Sequence, residues 1–425
     1  MVMYQRELEC LPRERLLELQ LIKLRETLSR IQKGNPIFFQ KLGRVRPEDI
    51  GGLNDLAKLP FMVKDDLRDA YPFGFLCVER SAIVRVQMSS GTTGAPVVCP
   101  YTDADVKGWG EVMARCLAAA GLGREDVIQI TPSFGLPNGG FGFHYGAEAL
   151  GATIIPTGAG GTSRQLKLMA DIGTTALGAI ASYPLRMMEV AKEEGFDFRK
   201  TQLKVGVFGS EMWSDELRRK IEEGTGIETF DIIGMTETGG VGMGIDCSHH
   251  SGIHVWEDHY LVEVIDPVTQ ELLSDGREGE LVVTTLKREA LPVIRYRTRD
   301  ISSILSREPC ACGRTHLRVS RFKGRTDDML IVKGVNFYPC QLERILLAEA
   351  GVAHDYQIIL ERDAAGVEKV SVVAEIYESL GKEVKGRLEQ KIQEEIGLRI
   401  SLTFVPAGSI PRPPGKAVRV VDRRE

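Results

Sequence analysis

The run Ser89-Ser90-Gly91-Thr92-Thr93-Gly94-Ala95-Pro96 packs four hydroxyls and two glycines into eight residues. Glycines let backbone approach a ligand closely, and hydroxyls donate to phosphate oxygens. The run is no Walker A loop, because G-x-x-x-x-G-K-[ST] is absent. It reads as a phosphate cradle, with a polar hairpin turn between Val86 and Val97 as the alternative. Gly234-Met235-Thr236-Glu237-Thr238-Gly239-Gly240 follows an apolar strand ending at Ile233. A carboxylate at the mouth of a sheet suits Mg²⁺ carried by a nucleotide phosphate, and equally suits a cap. In Tyr296-Arg297-Thr298-Arg299-Asp300 the aspartate can accept from two ribose hydroxyls or pair with Arg297 or Arg299 at the surface. Gly324-Arg325-Thr326-Asp327-Asp328, Gly334-Val335-Asn336 and Gly415-Lys416 complete the set.

A different chemistry is suggested by sulfur. Cys310-Ala311-Cys312-Gly313 is a turn that points two thiols to one side. His249, His250, His254, His259 and His316 lie near it or near Cys247. Thiolates and imidazole in fours suit tetrahedral Zn²⁺. About sixty residues separate the halves, which no zinc finger has, so reduced cysteines stand as the alternative. Cys10, Cys77, Cys99, Cys116 and Cys340 read as packing residues.

Strands and helices must position these groups. Leu17, Leu21, Leu24, Leu28 and Ile31 make one apolar stripe on a helix over Pro12–Gln32. From residue 83 the pattern is strand, turn, helix, repeated. The β-rich runs are Ile83–Met88, Val127–Thr131, Thr153–Pro156, Gly178–Ala181, Lys204–Phe208 and Glu228–Ile232, with helices at Ser163–Ala170, Leu185–Glu194 and Ser214–Glu223. That alternation implies a parallel or mixed sheet covered by helices. Past residue 325 the order becomes βαββαβ, a compact unit of its own. The expected boundary falls near 326, giving domains 1–326 and 327–425. Glycines at 91–94, 139–146, 158–161, 234–244 and 324–334 read as loops that approach a ligand.

Composition narrows the function classes. The 425 residues, 43% apolar and 27% charged, can bury full cores in a few domains. A net charge of -5 without a basic block excludes a nucleic-acid coat. No stretch has the uninterrupted apolar length of a membrane span, and no secretory leader is evident. Eight cysteines in a chain this long form no disulfide framework, so a cytoplasmic setting is expected.

In this order and spacing the segments resemble the adenylate-forming acyl-CoA synthetase superfamily, most closely its phenylacetate–CoA ligase branch. Pro60-Phe61-Met62-Val63-Lys64-Asp65-Asp66-Leu67-Arg68, His144-Tyr145-Gly146-Ala147-Glu148 and Gly252-Ile253-His254-Val255-Trp256-Glu257-Asp258-His259 extend the likeness across the chain. The resemblance implies an α/β fold: a large N-terminal domain of helix-covered mixed sheets and a small mobile α+β C-terminal lid. It implies ATP, Mg²⁺ and coenzyme A, with an aryl or arylacetic acid adenylated first and transferred to CoA second. By the same resemblance Ser89 through Gly94 wrap the phosphates and Glu237 binds Mg²⁺. Gly209, Ser210, Glu211, Asp231, Ile233, Gly234, Met235 and Thr236 line the nucleotide. Asp300 holds the ribose with Arg325 nearby, Asp327 is the hinge, and Lys416 bridges carboxylate and α-phosphate. Phe134–Tyr145 and Gly158–Thr162 shape the acid pocket, with Tyr145 and Gly160 on its wall. Branch relatives often carry a structural zinc site, which assigns Cys247, His254, Cys310 and Cys312 as ligands, His249 or His250 being the alternative nitrogen. They also suggest a homodimer.

Two departures stand out. Ala95 replaces the usual lysine of the hydroxyl-rich loop, a loss that Lys64 or another cation has to offset. Ile233 replaces the usual aromatic that stacks on adenine. They allow one other reading, a silent nucleotide- or acyl-binding homologue; a second alternative is an enzyme that loads a carrier protein or amine.

Overall fold

The structure, a computed structural model, describes residues 2–89, 96–333, 335–362, 368–377, 380–411 and 419–424. These fall into two compact units, 1–210 with 225–322 and 211–224 with 323–425.

Near the start of the first unit, α1 (Arg13–Gly34) buries Leu16, Leu24, Leu28 and Ile31, whereas Leu17 of the expected stripe is exposed. Its stripe meets a core that includes Phe38, Leu56, Met62 and Tyr296. The hairpin β1 (Arg85–Met88) and β2 (Val98–Tyr101) pairs Met88 with Val98. Ser89 N–H donates to the Val97 carbonyl, and Val97 N–H donates back to Ser89 Oγ, so the ends of the hydroxyl-rich run are pinned together. Then come α2 (Asp103–Ala119), β3 (Val127–Ile130), α3 (Gly139–Leu150), β4 (Thr153–Ile155), α4 (Thr162–Ile172), β5 (Ala176–Ile180), α5 (Tyr183–Glu194) and β6 (Val205–Gly209). Helix α6 (Asp215–Thr225) belongs to the second unit apart from its last residue. The first unit continues with β7 (Glu228–Met235), β8 (Gly240–Ile245), β9 (Ile253–Val255), β10 (Tyr260–Ile265), β11 (Gly279–Thr285), β12 (Tyr296–Ser302), β13 (Ile304–Ser306) and β14 (Arg318–Val319).

One nine-stranded sheet has the order β13-β14-β9-β8-β7-β6-β5-β3-β4. The strands from β3 to β7 run parallel, and β7 to β8 turns the sheet antiparallel. Helix crossovers explain the parallel half, since parallel neighbours cannot be joined by tight turns. A second antiparallel sheet joins β10, β11 and β12.

The glycine-rich segment 139–146, read from sequence as a loop, is helical. Its glycines serve packing: a Cβ at Gly142 would lie 2.3 Å from Val241 Cγ1, and one at Gly146 would lie 2.5 Å from Met113 Cβ. Helix α2 carried no sequence expectation, although Thr102 and Asp105 form a capping box at its start.

The second unit contains a hairpin of β15 (Leu330–Val332) and β16 (Val335–Phe337), then α7 (Pro339–Leu347), β17 (Val352–Arg362), β18 (Glu368–Ile376), α8 (Lys382–Ile396), β19 (Ser401–Pro406) and β20 (Val420–Asp422). Its sheet order is β19-β18-β17-β20. The expected βαββαβ order is present with two strands added, β16 and β20. Among the described residues no helix is long and apolar enough to cross a membrane.

Candidate active site

Glu237 sits in a single tight helical turn, Thr236–Thr238, between β7 and β8. Gly239, Gly240 and Gly242 then take φ of +106°, +114° and +104°, a region that side chains disfavour. The Glu237 carboxylate is 8% exposed and lies 3.6 Å from the Lys64 ammonium. Asn138 Nδ2 donates to Thr236 Oγ1 at 3.2 Å and steadies the turn from α3. Thr238 Oγ1 donates to the Met235 carbonyl. A nearly buried carboxylate beside one cation, at the C-terminal end of a parallel strand, is placed to meet a cationic partner from solvent. Ser89 is half-buried at the mouth of the hairpin.

The neighbouring strand β6 ends at Gly209, where a Cβ would lie 2.2 Å from the Ile232 carbonyl oxygen. Ser210 follows with φ +68° and is exposed. Ile233 is packed into the main core. Gly234 and Met235 end β7 rather than lying in a loop. Asp231 is buried, and its carboxylate accepts from Arg321 Nε at 2.7 Å.

Asp300 is buried on β12, its N–H donating to Thr298 Oγ1. Arg297 and Arg299 turn toward Glu280, which is fully buried on β11. Arg297 makes a two-nitrogen contact to it. No sequence signal marked Glu280, because it lies about twenty residues before these arginines and on another strand.

The two segments assigned to the acid pocket converge. A Cβ on Gly158 would lie 3.8 Å from Phe134 Cδ2. Phe134 meets Phe141 edge-on, Phe141 stacks with Tyr145, and Tyr145 meets Trp109 edge-on. Arg85 lies 4.1 Å above the Phe141 ring. Burial raises the Tyr145 phenol above its ordinary value, so it stays a neutral donor. Gly160 has φ +86° with open space where a Cβ would point. Gln165, fully buried and missed in sequence, donates to the carbonyls of Gly158 and Gly160.

In the second unit Arg325 forks onto Asp327, at 2.9 and 3.0 Å. Glu211 belongs to that unit and is half-buried. Ser90, Gly91, Thr92, Thr93, Gly94 and Lys416 lie outside the described residues.

A separate buried cluster gathers Cys247, His254, Cys310 and Cys312, whose ligating atoms all lie within 4.8 Å of one another. The Cys247 and Cys310 sulfurs are 3.9 Å apart, and Cys312 Sγ is 3.5 Å from His254 Nε2. A tetrahedral zinc with ordinary bond lengths spaces its ligands about 3.8 Å for S···S and about 3.5 Å for S···N. The donor set and spacing therefore fit that ion. His249 is not in the cluster, and His250 Nδ1 instead meets Asp246 at 2.9 Å.

The stretch Trp256-Glu257-Asp258-His259 proves to be architectural. Glu257 accepts from Arg13 of α1 at 2.6 Å and from the Leu317 N–H. His316 Nδ1 accepts from the Glu257 N–H, so its Nε2 carries the proton and donates to the Leu8 carbonyl. Burial pushes His316 below its ordinary value, consistent with that neutral form. Asp258 and Arg115 form a fully buried two-point pair.

The AMP-binding enzyme family model matches residues 65–286, and the AMP-binding enzyme C-terminal domain model matches residues 334–424. The fold and these matches define an adenylate-forming enzyme, the class that includes AMP-forming acid–thiol ligases. The phenylacetate-coenzyme A ligase of Thermus thermophilus is 40% identical over 446 aligned positions covering 100% of both chains. That of Escherichia coli is 40% identical, covering 96% of this chain and 94% of its own. The chain belongs to the phenylacetate–coenzyme A ligase family. Among solved structures, 2-hydroxyisobutyryl-CoA ligase in its postadenylation state with 2-HIB-AMP superposes with a TM-score of 0.91 at 26% identity, covering 98% of this chain and 92% of that one.

Proposed function

We propose that this ligase activates an arylacetic acid, phenylacetate or a close analogue. The aromatic chain Phe134–Phe141–Tyr145–Trp109 carries this reading, since it offers flat apolar faces beside the Gly158–Gly161 turn. The relatives named for phenylacetate, matched along 93% to 100% of their own length, support it.

In the first step the carboxylate attacks the α-phosphate of ATP and pyrophosphate leaves. In the second the CoA thiol displaces AMP. Such phosphoryl chemistry depends on positioning and on neutralising charge. Ser89 through Gly94 receive the leaving phosphates. Magnesium, held by Glu237 and the nucleotide phosphates, supplies charge neutralisation. Gly209, Ser210, Glu211 and the segment from Asp231 to Thr236 line the nucleotide, with the Asp231 carboxylate committed to Arg321. Asp300 accepts from the ribose, assisted by Arg325. Lys416 neutralises charge between carboxylate and α-phosphate, and Asp327 is the pivot of a C-terminal domain 327–425 that acts on a domain 1–326. Lys64, already beside Glu237, supplies the cation that Ala95 does not. Cys247, His254, Cys310 and Cys312 hold a structural zinc. A cytoplasmic homodimer completes the reading, and eight cysteines without a disulfide among them suit a reducing compartment.

The test is acid-dependent ATP–pyrophosphate exchange over a panel of aryl, arylacetic and aliphatic acids, followed by thioester formation with CoA. Preference for arylacetates in both assays is expected. Fastest exchange with a short aliphatic acid would overturn the assignment.

A further inference from the structure

On the proposed reading the ATP phosphates are met by two loops that come from different elements. One follows β1 and returns as β2; the other is the Glu237 turn between β7 and β8. In-line displacement tolerates little error in their spacing, and a misplacement of about 1 Å can cost about 100-fold. One buried side chain touches both β2, the return strand of that hairpin, and Gly239, which follows the Glu237 turn.

Arg288, 8% exposed, lies just past β11. Its Nη2 donates to the Pro100 carbonyl of β2 at 2.5 Å and approaches Cys99 Sγ at 3.4 Å. Its guanidinium carbon lies 4.2 Å over the Tyr101 ring. Its stem runs beneath Gly239, two residues after Glu237: a Cβ there would come within 3.1 Å of Arg288 Cδ and 3.4 Å of Nε and Nη1. Asp105 fastens the same segment by accepting from the Glu289 and Ala290 N–H groups and lies 3.8 Å from Arg288 Nη1. Arg288 Nε and Nη1 make no hydrogen bond among the described residues. Arg288 also lines a cavity of about 30 Å³ together with Thr238, Gly239, His259 and Tyr260. Burying a guanidinium with two such nitrogens costs stability, and packing alone would favour an apolar side chain.

We propose that Arg288 is a positioning residue that sets the distance between the phosphate-binding hairpin and the Glu237 turn, and so acts on adenylation but not on thiol transfer. The proposal rests on the reading of Glu237 as the group facing the metal-bound phosphates. Lysine keeps the charge at Arg288 but lacks the planar fork that reaches β2 while packing under Gly239.

The experiment measures both half-reactions of the full chain. For Arg288→Lys and Arg288→Met, ATP–pyrophosphate exchange is expected to fall about 10- to 100-fold with a raised half-saturating MgATP. Transfer from supplied acyl-adenylate to CoA is expected to persist at the wild-type rate. Equal loss of both half-reactions, no loss of either, or failure of both variants to fold would overturn the proposal. Glu237→Gln is assayed in parallel. If it leaves exchange intact the Glu237 reading fails. If it abolishes exchange while the Arg288 variants do not, only the Arg288 proposal fails.

Discussion

Replacing Asp258 by Asn is expected to destabilise the protein while leaving its chemistry intact. The carboxylate and its partner Arg115 are 1% and 0% exposed, with oxygen–nitrogen distances of 2.6 and 2.9 Å. Asp258→Asn keeps the shape but removes the charge that compensates a buried guanidinium. Among the described residues Arg115 then keeps one neutral amide oxygen at position 258, Gln5 Oε1 on its Nε and the face of Trp256 at 5.6 Å. Breaking such a pair from one side costs about 3–5 kcal/mol, whereas replacing both partners with apolar residues is often neutral. Urea unfolding followed by tryptophan fluorescence should show that loss in Asp258→Asn and recover most of it in Arg115→Met/Asp258→Leu. Burial opposes the charged carboxylate, but His259, Arg115 and Lys287 outweigh it and hold Asp258 well below the usual carboxylate range. Its contribution is therefore present above the unfolded-state value of about 4 and is lost as pH falls below it. The acid limb of the stability profile should flatten in Asp258→Asn. A loss under about 1 kcal/mol, a double variant as unstable as the single, or lost exchange activity in folded Asp258→Asn would refute the reasoning.

Two further outcomes follow from the site. Lys416→Ala should cut adenylation about 100- to 1,000-fold while thiol transfer from supplied acyl-adenylate persists; equal loss of both steps would remove the assigned role. Protein purified without chelator should carry stoichiometric zinc by elemental analysis, and Cys312→Ser should lose it on dialysis and melt earlier. A zinc-free wild type would leave the cluster as reduced thiols.

The motifs themselves were legible along the chain. The hydroxyl-rich run, the Glu237 turn and the Cys-x-Cys turn are contiguous, and contiguous residues constrain one another through the backbone. Alternating short β-rich runs and helices announced the parallel half of the sheet for the same reason. Segment 139–146 was misread because glycine is ambiguous in sequence. Here it marks backbones pressed together, Gly142 against Val241 and Gly146 against Met113, not a loop. The ionic partners were likewise out of reach. Asp300 had Arg297 and Arg299 as its near neighbours, but both turn to Glu280 on the adjacent strand.

The sequence by itself therefore determined the residue types, their order and the class of chemistry they permit. The tertiary structure alone decided which of them meet: Lys64 with Glu237, Asn138 with Thr236, Cys247 with Cys310, Glu257 with Arg13. It also made Glu257, Asp258 and His316 parts of the frame. The reason is physical. A buried charge takes as its partner whatever the packing of distant elements brings within about 3 Å, and nothing in local spacing encodes that choice.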